Sequence, residues 1–247
     1  MSLVVGDIHG NYFKAKSFLE YKPEIEHIFV GDYLDSFSAT DEALCKTYEF
    51  IMNSEAITLA GNHELHYLPN ATTYFKCSGY RTSPVFKHLV ATYLKRLRAS
   101  YVVDDYFISH GGLSKKHGRI FDDIYAANKW CNDEFDWYNN NIVIPETPSS
   151  IFDIGSIRGG EQDVGGIFWF TVGFEEWDHR FNQISGHTPQ SIPKKKTVDT
   201  MDGKRSQITI DSPLFMCYNT ATHEFEDFMP DEYKHNDQMR NILEVTY

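Results

Sequence analysis

The chain has 247 residues, with 23 Lys and Arg against 35 Asp and Glu, for a formal net charge of −12. Its 41% hydrophobic and 23% charged content is ordinary globular usage and excludes a predominantly disordered, collagen-like or coiled-coil chain. The acidic balance argues against a stable nucleic-acid complex, since phosphate backbones are held by Lys and Arg, although bound cations can reverse the sign locally.

Leu3-Val4-Val5 is a short apolar run ended by Gly6, which predicts a buried strand. His27-Ile28-Phe29-Val30 ends at Gly31 and Ala56-Ile57-Thr58-Leu59-Ala60 ends at Gly61, predicting two more. Between them Phe13, Lys16, Phe18 and Leu19 mark a helix weakly, and Ala43, Leu44, Tyr48 and Ile51 mark another more clearly. Such alternation is the pattern of a parallel sheet with helical crossovers. Phe86, Leu89, Val90, Tyr93, Leu94 and Leu97 then recur at helical steps, behind Ser83 as N-cap and Pro84 in the first turn. Tyr106–Ser109 reads as a strand running into His110-Gly111-Gly112, and residues 119–140 read as helical around Trp130 and Trp137. The Asn-, Pro-, Ser- and Gly-rich stretch 139–166 predicts a long ordered loop beside the site. Phe181–Ser185 leads into Gly186-His187. Antiparallel strands are expected at Gln207–Ile210, Leu214–Tyr218 and Glu224–Phe228, and Lys194-Lys195-Lys196 reads as a solvated charge run.

No repeat or linker divides the chain, so residues 1–247 are expected to form a single domain. Cys45, Cys77, Cys131 and Cys217 lie far apart and include no CxxC pair, which points to reduced thiols. No apolar run approaches the ~20 residues of a membrane span. The opening MSLVVGDIHG brings acidic and glycine residues before a signal peptide's ~7–15-residue apolar core could form. A cytoplasmic monomer is expected.

Five runs stop at a glycine followed by residues of metal-ligand type: Gly6-Asp7-Ile8-His9-Gly10, Gly31-Asp32-Tyr33-Leu34-Asp35, Gly61-Asn62-His63-Glu64, Ser109-His110-Gly111-Gly112 and Gly186-His187-Thr188-Pro189. Asp or Asn beside Gly is by itself only a turn signal. Ligands of open α/β sheets, however, gather outside the carboxyl ends of the strands, where these runs would converge. His27, His66, His88, His117, His179, His223 and His235 lack this setting and read as surface or packing residues.

The ordered set, spanning residues 6–189, resembles the calcineurin-like metallophosphoesterases, within them the branch of phosphoprotein phosphatases and diadenosine tetraphosphatases. The resemblance implies an α/β fold, a β-sandwich of two mixed sheets flanked by helices. It also implies two adjacent divalent ions. Asp7 and His9 would bind the first, Asp32 would bridge, and Asn62, His110 and His187 would hold the second. Carboxylates and imidazoles suit Mn²⁺, Fe or Zn²⁺, and this His-rich set disfavours Mg²⁺ alone; Mn²⁺ is the expected metal, with Fe, Zn²⁺ or a mixed pair as alternatives. Two such ions outweigh two carboxylates, leaving the pocket positive inside a protein of net charge −12. Ions ~3.5–4 Å apart can lower the pKa of a bridging water and hold it in line with phosphorus. His63 would protonate the leaving alkoxide, with Asp35 orienting its ring, and no Cys or Ser nucleophile is needed.

One motif departs from the pattern. The phosphatase branch continues its second motif Asp-Arg-Gly, whereas here Asp35 is followed by Ser36 and Phe37, and a serine cannot replace a bidentate guanidinium. Arg81 and Arg158, both in Gly-containing loops, are the candidate substitutes for gripping phosphate. The expected reaction is phosphomonoester hydrolysis of the serine/threonine protein phosphatase type, on phosphorylated protein. The alternatives are a nucleotide phosphodiesterase or dinucleoside polyphosphate hydrolase, with Phe37, Tyr33, Tyr74, Tyr80 or Trp169 stacking on a base, and a non-catalytic metal-binding module.

Overall fold

A computed structural model describes residues 1–69, 71, 75, 77, 79–140 and 149–234. Tyr74, His235 and part of the predicted 139–166 loop lie outside these residues. The apolar run at the N-terminus forms β1 (Ser2–Val5), every residue of it buried. It pairs in parallel with β2 (Glu26–Phe29), which pairs with β3 (Ile57–Leu59), which pairs with β4 (Leu97–Arg98). On the other side of β1, β10 (Met216–Asn219) and then β11 (Glu224–Asp227) add as antiparallel strands. The second sheet runs β5 (Ser100–Val103), β6 (Tyr106–Ser109), β7 (Asn182–Ser185), β9 (Gly203–Thr209), β8 (Lys194–Thr200). Its central pairs are parallel and its outer pairs antiparallel. Both sheets are therefore mixed, as expected.

Strand alternation divides the core into two layers. Val4, Ile28 and Leu59 from the first sheet meet Ile108, Ile184 and Ile208 from the second in one apolar cluster. Leu3, Val5 and Phe29 point the other way, into a cluster shared with the helices. There α1 (Tyr12–Glu20) contributes Ala15 and Phe18, and α2 (Asp41–Met52) contributes Leu44, Tyr48 and Ile51. The side chains of Asn11 and Thr40 cap these helices, each accepting from a first-turn backbone N–H. A short helix, α3 (Asn62–Leu65), follows β3, and α5 (Lys115–Gly118) and α6 (Ile124–Asn140) follow β6.

Two sequence expectations are corrected. The stripe from Phe86 to Leu97 is not one helix: α4 (Pro84–Tyr93) gives way to a 3₁₀ turn at Leu94–Arg96, and Leu97 enters β4. Arg96 donates to the carbonyls of Ser54 and Ala56 at 2.6 and 2.9 Å, and Thr58 Oγ1 donates to the Arg96 carbonyl at 2.7 Å. These ties draw the segment onto β3 and outweigh helical periodicity. Ser83 occupies the N-cap position, but its side chain makes no capping bond. The Lys194–Lys196 run is solvated, yet it opens the seven-residue edge strand β8, where lysines discourage further strand pairing. No helix among the described residues is long and apolar enough to cross a membrane, and the four cysteines are unpaired.

Candidate metal centre

Five strands from the two sheets deliver their carboxyl ends to one rim. Sharp turns there require unusual backbone: His9, Asp32, Asp35 and His187 adopt φ of 44°, 51°, 57° and 60°. Non-glycine residues rarely occupy this region, and such strain collects at functional sites. The preceding glycines allow close approach. A Cβ on Gly186 would lie 2.2 Å from Asp7 Oδ1, and one on Gly61 would lie 2.1 Å from Asp32 Oδ1.

The predicted ligands converge. Asp32 Oδ2 lies 3.3 Å from His110 Nε2, 3.8 Å from His9 Nε2 and 3.9 Å from His63 Nε2. Asn62 Oδ1 sits 2.7 Å from His110 Nε2 and 2.8 Å from His187 Nδ1. Asp7 accepts the His187 backbone N–H on both oxygens, at 3.2 and 3.3 Å, joining the first motif to the last. Two groups of potential metal-binding atoms share Asp32: one with His9 and His63, the other with His110 and His187.

The donor chemistry fits divalent cations. Carbonyl oxygens only accept, so His9 Nδ1 donates to Asp35 O at 2.7 Å and His110 Nδ1 donates to Val30 O at 3.0 Å. Each bond turns the ring's Nε2 inward, the usual second hydrogen bond of a metal-binding imidazole. His187 Nε2 is buried and has no hydrogen-bond partner among the described residues. Burial, with His110 and Arg158 nearby, keeps the His187 ring well below the usual imidazole pKa, so it is neutral and able to ligate. Burial opposes ionisation of Asp32, but the charges on His110 and His63 prevail and hold it well below the carboxylate range. His110 is raised to about 9 because Asp32 outweighs its burial. The site thus already pairs Asp32 with positive charge.

The remaining predicted residues separate. His63 Nδ1 lies 2.9 Å from Asp35 Oδ2, leaving Nε2 toward the cavity. Arg158 lines that cavity of about 550 Å³, donating from Nε to Thr171 Oγ1 at 3.0 Å and from Nη2 to the His187 carbonyl at 3.2 Å. Its Nη1 carries no such bond among the described residues. Arg81 is absent from the lining and donates from Nη2 to the Ser36 and Ala39 carbonyls at 2.6 and 3.0 Å. Cys77 does line the cavity, but burial pushes its thiol up, away from thiolate chemistry.

Five supporting residues had no role in the sequence reading. Glu64, fully buried, accepts backbone N–H groups from Gly61, Asp32, Tyr33 and Leu34 at 2.9–3.1 Å. Burial and then the Asp32 charge push its carboxyl up to about 7. His66, read as surface or packing, is 3% exposed with Nε2 at 2.9 Å from Asp35 Oδ2, and Tyr67 donates its hydroxyl to Asp35 Oδ1. Their spacing of three and four from His63 was the available signal. Lys14, buried, donates to the carbonyls of Asp7 and Ser212 at 3.0 and 2.7 Å. Asp211, on the lining directly past the Gln207–Ile210 run, lies two residues beyond the end of β9 without a preceding glycine.

The sequence profile of the calcineurin-like phosphoesterase family matches residues 2–191. Serine/threonine-protein phosphatase 2B catalytic subunit A1 of Saccharomyces cerevisiae is 28% identical over 139 residues, covering 51% of this chain. The match spans only 24% of that relative's length. A cold-active protein-tyrosine phosphatase from a psychrophilic Shewanella species superposes with TM-score 0.50 at 16% identity, covering 85% of this chain and 70% of that one. A second structure described as a cold-active protein tyrosine phosphatase gives TM-score 0.52 at 16% identity, covering 85% and 69%. At such identity these two structures speak to the fold alone.

Proposed function

The chain belongs to the calcineurin-like phosphoesterase family, and from that premise we propose a phosphomonoesterase whose catalytic machinery is of the serine/threonine protein phosphatase type. Metal-dependent phosphoester hydrolysis is what the family implies. The observation that carries the finer reading is one Asp32 oxygen facing three imidazole nitrogens within 3.9 Å. In this reading Asp7 and His9 would hold one divalent ion, Asn62, His110 and His187 would hold another, and Asp32 would contribute to both, with Mn²⁺ foremost. Bound there, the ions supply Lewis acidity toward water and the phosphoryl oxygens. His63 gives a proton to the leaving-group oxygen, and Asp35 holds its ring in place. Arg158 offers its open Nη1 to the phosphate. The same reading takes residues 1–247 as one catalytic unit acting as a cytoplasmic monomer on phosphorylated substrates.

With Mn²⁺ the chain should turn over p-nitrophenyl phosphate with higher kcat/KM than its bis-ester. Asp32→Asn should weaken metal binding by at least about a hundredfold, read by elemental analysis, and activity should fall with it. Preference for the bis-ester would move the assignment to a phosphodiesterase. Undiminished metal content in the variant would remove the bridge.

Arg158→Ala is expected to raise KM for p-nitrophenyl phosphate more than about tenfold, because a charge-assisted bond to phosphate is lost. Steady-state kinetics check this. Arg81 does not reach the cavity, so direct phosphate contact is assigned to Arg158 alone.

A further inference from the structure

Where the phosphatase branch has Arg-Gly after the aspartate, this chain has Ser36-Phe37, and the replacement builds something in its own right. Phe37 is 82% exposed and lines the cavity that holds the candidate ligands. A single exposed aromatic is common on protein surfaces and means nothing alone. This one, however, is displayed by an anchored loop. Ser36 Oγ accepts from the backbone N–H groups of Ser38 and Ala39, each at 3.2 Å, and Arg81 clamps the Ser36 and Ala39 carbonyls. Arg81 is tied in turn to Asp35, since its backbone N–H donates to Tyr67 Oη, which donates to Asp35. The backbone that carries Phe37 is therefore tied to the Asp35 end of the proton-donating pair.

Other aromatics proposed from sequence for stacking are committed elsewhere. Tyr33 is fully buried, with its hydroxyl donating to the Leu59 carbonyl at 2.8 Å, and Tyr80 stacks on Tyr67 with ring centroids 5.6 Å apart. Trp169 shares the lining with Phe37 but is 6% exposed, its ring set edge-on to His187. Phe37 is left as the aromatic with a free face at this mouth among the described candidates.

We propose that Phe37 forms a leaving-group subsite, so that the preferred substrate is a phosphomonoester whose leaving group carries an aromatic ring. This rests on the hydrolase reading for its reaction and adds the substrate class. An aryl ester and a nucleoside phosphate present the same chemistry to Phe37, a planar ring a few bonds from phosphorus.

Phenylphosphonate and methylphosphonate, which are not turned over, are the probes, titrated calorimetrically into the Mn²⁺-loaded chain. Phe37→Ala should weaken phenylphosphonate about tenfold and methylphosphonate less than about twofold, with Phe37→Leu between. At an exposed position both variants should fold normally, which a thermal melt verifies. A matching loss of kcat/KM confined to phosphotyrosine identifies an aryl ester, and one confined to adenosine monophosphate identifies a nucleotide. Either result supports the subsite. Equal weakening of both phosphonates, or of neither, overturns it. Absence of turnover on every ester with the phosphonate selectivity intact would sink the hydrolase reading and leave the subsite standing.

Discussion

His63→Asn is expected to lower kcat by about 10²–10⁴-fold for alkyl phosphomonoesters and far less for p-nitrophenyl phosphate. The asymmetry comes from the leaving group. An alkoxide must be protonated as the bond to phosphorus breaks, whereas p-nitrophenolate departs with little help. The geometry arranges His63 for this task, since Nδ1 is held by Asp35 and Nε2 is left to the cavity. Asp35 is held in turn, with His66 Nε2 at 2.9 Å and the Tyr67 hydroxyl on its other oxygen. Burial opposes a charged His63 ring, but Asp32 and Asp35 outweigh it and raise its pKa, favouring the protonated form an acid needs. His63 also falls within reach of a metal shared by His9 and Asp32, so a ligand role makes a rival prediction. Parallel assays on glycerol phosphate and p-nitrophenyl phosphate, with metal content measured on the same samples, separate the two. Equal losses on both esters with reduced metal content would make His63 a ligand and remove it as the acid.

Legibility of this molecule follows from where the information resides. Leu3-Val4-Val5 before Gly6 and His27–Val30 before Gly31 announce themselves locally, because a buried parallel strand needs continuous apolar residues and its end needs a turn. The candidate ligands inherit that clarity by sitting directly past those ends. Leu97 was unreadable as a strand because its helical spacing is real and only Arg96, Ser54 and Ala56 overrule it. Arg81 and Arg158 looked equivalent for a related reason. Both are arginines near glycines, and only the carbonyls of Ser36 and Ala39 and the cavity wall distinguish them. The roles of Lys14 and Glu64 depend wholly on backbone groups brought from elsewhere. Lys14 reaches Ser212, 198 positions away, and no local pattern encodes such a contact.

Glu64 yields the largest expected effect on stability. Glu64→Ala should lower unfolding free energy by about 4 kcal/mol, with a fall in melting temperature on the order of 10 °C. Its carboxylate is the acceptor for four backbone N–H groups: Oε2 serves Gly61 and Asp32, and Oε1 serves Tyr33 and Leu34. Leaving a buried donor unmade costs ~1–3 kcal/mol, and partial relaxation or water entry keeps four losses from adding in full. Against a total stability of ~5–15 kcal/mol this is a large fraction. Glu64→Gln separates the hydrogen bonds from the volume. The amide keeps one acceptor oxygen but turns an NH₂ toward the other pair of N–H groups, so it should recover no more than about half the loss. The same carboxylate ties the Asp32 loop to the Asn62 turn, so metal affinity should weaken in both variants well below their melting temperatures. Chemical denaturation and elemental analysis measure the two effects. An alanine variant within about 1 kcal/mol of wild type would mean that water can replace Glu64, and the two motif loops would then be held apart from it.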